Sequence, residues 1–315
     1  MESDLIAYLR ERLPPHPCLR IGPGDDAAIL SLGANADAVV TVDMLMDGVD
    51  FHVGQVDARR IGRKALAVNL SDLAAMAVEP VAAVVAIALP QRGGMALAQS
   101  LYEGILPLAE EFNVAIAGGD TNSWDGPLVI AITAIGKVSS GTPRGGGAWL
   151  RSGARAGDVL LVTGELGGSI LGRHLDFTPR VREARLLAER YDVRAAIDLS
   201  DGLAIDLSRL VAESGCGGEV DLASVPISAA AVELSRTTSN EPAASPLDHA
   251  LGDGEDFELL LAVAPEVAAG MLADQPLDVP LTRIGRCVAE AGLWQRDDRG
   301  VVSPLAARGY EHRFD

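Results

Sequence analysis

Short, unbroken apolar runs alternate with amphipathic stretches along the whole chain, the pattern of an α/β or mixed α+β protein. Asp57 is placed to cap a helix running through ARRIGRKALAVNLSDLAAMA until Glu79-Pro80 stops it, and VAAVVAIAL then reads as a buried strand. A second helix is expected after Gly93-Gly94 through LAQSLYEGILPLAEEF, with Pro107 kinking it or opening a new turn. The strand VAIAG ends at Gly118-Gly119-Asp120, and Asp125-Gly126 signals a hairpin into the apolar run LVIAITAIGKV.

The stretch SSGTPRGGGAWLRSGARAGD is rich in Gly and Ser and poor in periodic apolar positions, which places a domain boundary near residue 148. Residues 1–148 and 149–315 are then the expected domains, and the second repeats the grammar of the first. DVLLVTG is a strand, a glycine turn and a helix follow in ELGGSILGRHL, and RAAIDLSDGLAIDLSRLVAESG is a strand, an acidic turn and a helix ended by Gly215. LLLAVAP and LTRIGRCV supply later strands, and the polar segment from Arg236 to Pro246, with two prolines, is expected as an exposed loop.

Composition narrows the classes. The 315 residues hold 26 Lys+Arg against 44 Asp+Glu, a formal charge of −18, with 4% aromatic residues. Phosphate backbones are gripped by clustered cations and bases by aromatic platforms, so an ordinary nucleic-acid binder is excluded. The 48% hydrophobic content can fill a core, yet the purest apolar run, Val81 to Leu89, is less than half of the roughly 20 residues that a membrane span needs. The N-terminal MESDLIAYLRERLPP has no apolar h-region, and Cys18, Cys216 and Cys287 form no zinc or disulfide pattern, so a cytoplasmic protein is expected.

The chemical signal is a series of acidic residues at the ends of apolar runs, usually beside glycine: Asp25 and Asp26 in GDD, Asp43 in TVD, Asp72 in NLSD, Asp120 in GGD, Asp198 and Asp201 in DLSD. Each alone reads as a turn former or helix cap. Together they suggest convergence, because Ser, Asn or Thr would serve turns equally well and ligands bind outside the carboxyl ends of strands in open α/β sheets. Converging carboxylates need cations, and hard oxygen donors without paired His or Cys favour Mg²⁺, which is commonly shared with a substrate phosphate. Asn69 and Asp72 share a helix face, while Lys64 lies further around, either near the site or as a plain solvated lysine. No GxxxxGK[ST] is present, and IGPGDDA fits a dinucleotide fingerprint only formally, since the proline-rich LPPHPCLRI before it is a poor central strand. VTGELGGS either offers backbone N–H groups to phosphate or is a simple strand-to-helix turn. The absence of GxSxG, HExxH or a Cys/His pair argues against a covalent nucleophile, which phosphoryl transfer does not need.

In order, IGPGDDAAIL, TVDMLMDGVDF, RKALAVNLSDLAAM, IAGGDTN, WLRSGARAGDVLLVTGELGGS, AIDLSDGL and GDGEDFELLLAV resemble the motif series of the thiamine-monophosphate kinase family. The resemblance implies the two-domain α/β fold of aminoimidazole ribonucleotide synthetase and selenophosphate synthetase, a homodimer whose N-terminal sheets close a barrel. It also implies direct transfer of the ATP γ-phosphate to thiamine monophosphate, with several Mg²⁺ ions between the two polyanions. Carried over position by position, it assigns the metal ions to Asp26, Asp43, Asp72, Asp120, Asp198 and Asp201, with Thr41 and the backbone of Val42. It places ATP at Tyr102, Gly119, Asp120, Arg151 and Ser200, the acceptor at Asp50, Glu255 and Tyr310, and the catalytic charge management at Asp120, Arg151 and Asp201. The chain departs from the family pattern at Asp50, where His is frequent, at Asp253, where Gly is usual, and at Val42, where Thr or Ser is common. Alternatives are another ATP-using enzyme of the same fold, or a nucleotide and metal sensor. A selenophosphate synthetase is disfavoured because MESDLIAYLRERLPPHPC has no reactive Cys near a Lys.

Overall fold

The alternation of runs resolves into two mixed sheets in the computed structural model, which describes residues 7, 10, 11, 16–33, 37–138, 147–237 and 244–312. The first sheet contains β1 (Leu19–Ile21), β2 (Ala28–Ser31), β3 (Asp37–Met46), β4 (Glu79–Pro90), β5 (Ala115–Trp124) and β6 (Val129–Lys137), in the order β1-β2-β3-β6-β4-β5. Its helices are α1 (Ala58–Ala75) and α2 (Gly94–Glu111). The second sheet contains β7 (Val159–Thr163), β8 (Val193–Asp198), β9 (Gly217–Asp221), β10 (Leu259–Val263), β11 (Leu281–Val288), β12 (Gly292–Arg296) and β13 (Val302–Pro304), in the order β13-β12-β9-β11-β7-β10-β8. Around it lie α3 (Arg173–Asp176), α4 (Val181–Arg190), α5 (Leu203–Ser214), α6 (Ala229–Thr237), α7 (Pro246–Gly252) and α8 (Pro265–Asp274). Most strand pairs are antiparallel; β4 with β5 and β9 with β12 are parallel.

Local signals set most boundaries. The Asp57 side chain accepts the Arg59 N–H and starts α1, and Gly215, at φ 69°, ends α5. Four expectations change. β5 does not end at Gly118-Gly119-Asp120 but runs on to Trp124, because its pairing with β4 continues to Pro90, so Asp120 lies inside the strand. Asp125-Gly126 does not make a hairpin: β5 pairs parallel to β4 through α2, and β6 crosses over to lie between β3 and β4. The apolar run of β6, filled by Ile130, Ile132 and Ala134, suits a central strand with partners on both sides. Pro107 leaves α2 continuous, because it and Glu103, whose carbonyl loses its donor, both sit on the solvent side. The loop expected from Arg236 to Pro246 is shorter, since α6 reaches Thr237 and α7 begins at Pro246; residues 238–243 lie outside the described residues.

Period-2 burial divides the first sheet into two faces. Val39, Thr41 and Leu45 of β3, Val85 and Ile87 of β4, and Ile130 and Ile132 of β6 are buried against the helices. On the other face Val42 is 62% exposed and Met44 60%, joined by Met46, Val81 and Val84. The second sheet is covered on both sides, so Leu161 and Leu259 share a core with Leu66 and Leu70 of α1, while Leu160 and Leu260 pack with Leu203 and Leu207 of α5. Helix α1 is therefore the spine between the sheets.

Helices α1 and α2 cross at two glycines. A Cβ on Gly62 would lie 2.0 Å from the Leu101 carbonyl oxygen, and one on Gly104 would lie 1.8 Å from that of Arg59. No side-chain rotation relieves a clash with backbone. Gly104→Ala is expected to lower the unfolding free energy by about 1–3 kcal/mol, the cost of overpacking a close contact. Urea denaturation measures it, and an unchanged midpoint would mean that the helices separate freely.

Candidate active site

The acidic series gathers where the two sheets meet. Asp26 follows the GPGD turn ahead of β2, Asp72 lies on α1, and Asp198 ends β8; one carboxylate oxygen from each lies within 4.8 Å of the others. Asp43 reaches the same region because the odd-numbered positions of β3 face α1. Its backbone N–H donates to Asn69 Oδ1 at 3.2 Å, and Asn69 Nδ2 donates to the Ala65 carbonyl at 3.0 Å, so Asn69 ties strand to helix. Thr41 Oγ1 donates to Asp72, and Ser71 Oγ donates to Asp198 Oδ2 at 2.5 Å.

Arg151 is the cation set against this group. Its Nε and Nη2 donate to the Asp26 carboxylate at 3.2 and 2.9 Å, and its backbone N–H donates to Asp25 Oδ2 at 3.2 Å. On the opposite wall Arg209 Nη1 pairs with Asp201 and, at 2.8 Å, with Asp206 Oδ1, while Asp206 Oδ2 accepts the N–H groups of Asp201 and Gly202. Between the walls is a cleft of about 730 Å³ lined by Asp26, Thr41, Val42, Asp43, Asp72 and Asp201, with Asp25, Arg151, Ser200 and Arg209. Arg209, Asp206 and Ser71 fall outside the strand-end pattern; the spacing of Asp206 and Arg209, one turn apart on α5, is the signal that marks that pair.

Burial and crowding raise the proton affinity of Asp25, Asp43, Asp72, Asp198 and Asp206. Asp43 is pushed up to about 6 by burial first, then by Asp50 and Asp201. Asp25 rises to about 6 through burial and then Asp26, and Asp206 to about 7 through burial and then Asp201. Asp72 and Asp198 lie well above the carboxylate range, again from burial first, then from Asp43 for one and Asp26 for the other. Burial disfavours the Arg151 charge, but Asp26 and Asp25 outweigh it and hold the guanidinium protonated. Such a set binds either protons or cations. All its donors are hard oxygens, so the residues fit Mg²⁺.

Other expected site residues do not line this cleft within one chain. Asp120 and Gly119 lie on β5, an exposed edge strand, and Tyr102 packs half-buried on α2. Register sets Gly119 level with Val85, Ile132 and Asp43, three strand spacings away, or about 14 Å. Asp120 is level with Ala86 and Met44, on the sheet's open face. Glu255 forms an ion pair with Lys64, and the Lys64 ammonium also donates to the Asp50 carbonyl at 3.2 Å. Lys64 is thus no solvated lysine: it is fully buried. Tyr310 is 48% exposed, and its N–H donates to the Asp201 carbonyl at 2.9 Å. The VTGELGGS segment is a structural turn, because the Gly167 N–H donates to Asp256 at 2.9 Å and the Gly168 N–H to Asp253 at 3.0 Å.

Two family models cover most of the chain: the AIR synthase related protein N-terminal domain over residues 24–138 and the corresponding C-terminal domain over 155–293. The chain is 43% identical to the thiamine-monophosphate kinase of Rhodopirellula baltica, over 99% of this chain and 97% of that one. It is 36% identical to that of Escherichia coli (strain K12), over 99% and 98%. The chain belongs to the thiamine-monophosphate kinase family. AaThiL complexed with AMPPCP and TMP has the same architecture, at a TM-score of 0.81 and 25% identity over 99% of this chain and 96% of that one. No described helix is long and apolar enough to cross a membrane.

In this member of the thiamine-monophosphate kinase family, Asp50 and Asp253, the expected departures from the family pattern, serve local structure. The Asp50 carboxylate accepts the Met46 N–H at 2.7 Å and closes the turn after β3. Asp253 holds the Gly168 N–H and faces His249 Nδ1 at 2.9 Å.

The raised acids fix a pH dependence. Asp25 and Asp43 hold protons more tightly folded than unfolded, so their contribution to stability is present below about pH 4 and is lost as pH rises through about 6, with Asp206 extending the window to about 7. A cation that replaces those protons offsets the loss. Mg²⁺ is therefore expected to raise the Tm more at pH 7.5 than at pH 5, as read by calorimetry. Equal increments at both pH values would contradict metal binding at Asp43, the one of these three raised carboxylates whose proton the cation would replace.

Proposed function

We propose that the chain transfers the γ-phosphoryl group of ATP to the phosphate of thiamine monophosphate, giving thiamine diphosphate and ADP without a phosphoenzyme. The observation that carries this reading is the group of Asp26, Asp72 and Asp198, whose carboxylate oxygens converge within 4.8 Å, beside a cleft that Asp26 and Asp72 line together with Arg151 and Asp201. A charge-rich cleft of this kind matches phosphoryl transfer, which depends on positioning and electrostatics rather than a nucleophile. A relative with this fold, solved with AMPPCP and TMP, supports the substrate pair.

In this reading Mg²⁺ is held by Asp26, Asp43, Asp72, Asp120, Asp198 and Asp201, with the Thr41 hydroxyl and the Val42 carbonyl, and neutralises charge on the two phosphate groups. Arg151, oriented by Asp26 and Asp25, keeps its remaining N–H groups for the transferring phosphate. Ser200 and Gly119 bring backbone close to the nucleotide, and Tyr102 lies on its adenine side. Arg209 holds the Asp201 carboxylate in place. Glu255 and Tyr310 meet the cationic ring of the acceptor, an anion and an aromatic face suited to a thiazolium, beside the Asp50 turn. The segment 1–148 supplies most of the metal and ATP contacts, and 149–315 completes the site. An ATP-consuming enzyme of this kind works in the cytoplasm.

A homodimer is part of the proposal. The open face of the first sheet exposes Val42, Met44, Met46, Val81 and Val84, and a second copy laid against it would cover that apolar surface. The separation of about 14 Å between the Asp43 and Asp120 positions within one sheet is then bridged by Asp120 arriving from the partner.

Mass-identified product from ATP and Mg²⁺ with thiamine monophosphate, with thiamine, or without acceptor tests the reaction. Thiamine diphosphate is expected from the monophosphate alone. ADP release independent of acceptor would favour a relative or a sensor. For the shared site, Asp43→Asn and Asp120→Asn are each expected to abolish turnover, whereas unfolding and refolding them together should restore part of it, because one site per mixed dimer is intact. No recovery in verified mixed dimers would place Asp120 in its own chain's site.

A further inference from the structure

Lys64 lies on α1 with no exposed side-chain surface, among core residues such as Ile61, Ala65 and Leu66. A buried ammonium is costly unless it is paired and hydrogen-bonded, and an apolar side chain of similar length would fill the space more cheaply. Its recorded partners are the Glu255 carboxylate and the Asp50 carbonyl. One belongs to the loop ahead of β10 in the second sheet, the other to the turn after β3 in the first. Both are residues assigned above to the acceptor.

Glu255 is held for use rather than tucked away. Its side chain stays 33% exposed and lines a cavity of about 250 Å³ with Ile170, Leu234, Asp253 and Gly254. Its backbone occupies the left-handed region at φ 54°, as does Phe257 at φ 50°, conformations rare for residues with a Cβ and found at sites that need a fixed geometry. The Glu255 N–H donates to the Ser200 carbonyl at 2.6 Å, and the Phe257 N–H to the Leu199 carbonyl at 2.8 Å. The segment is therefore anchored beside the cleft by its backbone and aimed by Lys64 through its side chain.

We infer that Lys64 is a positioning residue for the phosphate acceptor: its buried ammonium ties Glu255 to the Asp50 turn and fixes the carboxylate oxygen that remains for the acceptor's cationic ring. The inference rests on the assignment of Glu255 to that ring. Lys64 itself touches neither substrate; it sets acceptor affinity by acting through Glu255.

The test is a double-mutant cycle of Lys64→Met, Glu255→Gln and their combination in the full-length enzyme, with KM measured separately for thiamine monophosphate and ATP. Each single change is expected to raise the acceptor KM by about tenfold or more. The ATP KM should stay within about twofold, and the double variant should be no worse than Glu255→Gln. A merely structural lysine would give additive losses and move both KM values, and either result overturns the inference. Lys64→Gln, which keeps a donor for the Asp50 carbonyl without the charge, replaces Lys64→Met if melting shows that variant unfolded. Wild-type turnover separates the two claims. If the wild type makes no thiamine diphosphate, the functional reading fails and takes this one with it; turnover with an unchanged acceptor KM in the lysine variants sinks this one alone.

Discussion

Carboxylates crowded beneath a low-dielectric surface repel one another, and the chain must hold them together in spite of it. Asp26, Asp72 and Asp198 come from a turn, a helix and a strand end far apart in sequence, yet one oxygen of each lies within 4.8 Å of the others. Arg151 offsets part of that charge and Arg209 restrains Asp201 and Asp206, while Asp72 and Asp198 are left with strongly raised proton affinity by burial and by their neighbours. A set of crowded hard-oxygen donors of this kind is chemically suited to divalent cations, the basis of the function proposed for it. The surrounding fold holds it in place by packing.

Helix α1 provides most of that packing. It is buried along most of its length, it joins the core of the first sheet to Leu161 and Leu259 of the second, and it crosses α2 at glycine contacts too close for any side chain. The same helix carries Lys64, Asn69, Ser71 and Asp72. Asn69 fastens β3, Ser71 reaches Asp198, and Lys64 reaches Glu255 and the Asp50 carbonyl. One rigid element thus sets the acidic cleft and the Glu255–Asp50 region relative to each other, the two parts to which the proposal gives metal and acceptor. Polar groups buried at those positions are constrained by hydrogen bonds from both sheets, which favours fixed geometry over easy stability.

Much of this was legible along the chain. Asp57 announced the start of α1, Gly215 the end of α5, and the apolar runs gave β4, β6, β7, β8, β10 and β11 nearly at their observed limits. The recurring aspartates marked the cleft by their number and type rather than by strand-end placement, since only Asp198 ends a strand, Asp43 and Asp120 lie inside strands and Asp72 lies on α1. Other features were hidden because they depend on partners distant in sequence. Asp125-Gly126 carries a hairpin signal, but the pairing of β5 with β4 had already taken the neighbouring place, so β6 moved to the centre. The sequence leaves Lys64 open between the site and solvent because a helix buried on nearly all sides has no polar face to reveal its orientation. The N–H groups of VTGELGGS are occupied by Asp253 and Asp256, whose approach no local rule anticipates.

The sequence by itself determined the alternation of strands and helices, the helix ends, the acidic character of the site, its hard-oxygen chemistry and the family motifs, since each rests on neighbours a few residues apart or on side-chain type. Tertiary structure alone decided which aspartates meet, that Arg151 answers Asp26, that Lys64 answers Glu255, and that Asp120 stands three strands from Asp43. The reason is physical. Local propensity acts through bonds and turns within one element, whereas strand order, register and burial emerge only when separate elements compete for the same neighbours, and these set the distances on which charge and chemistry depend.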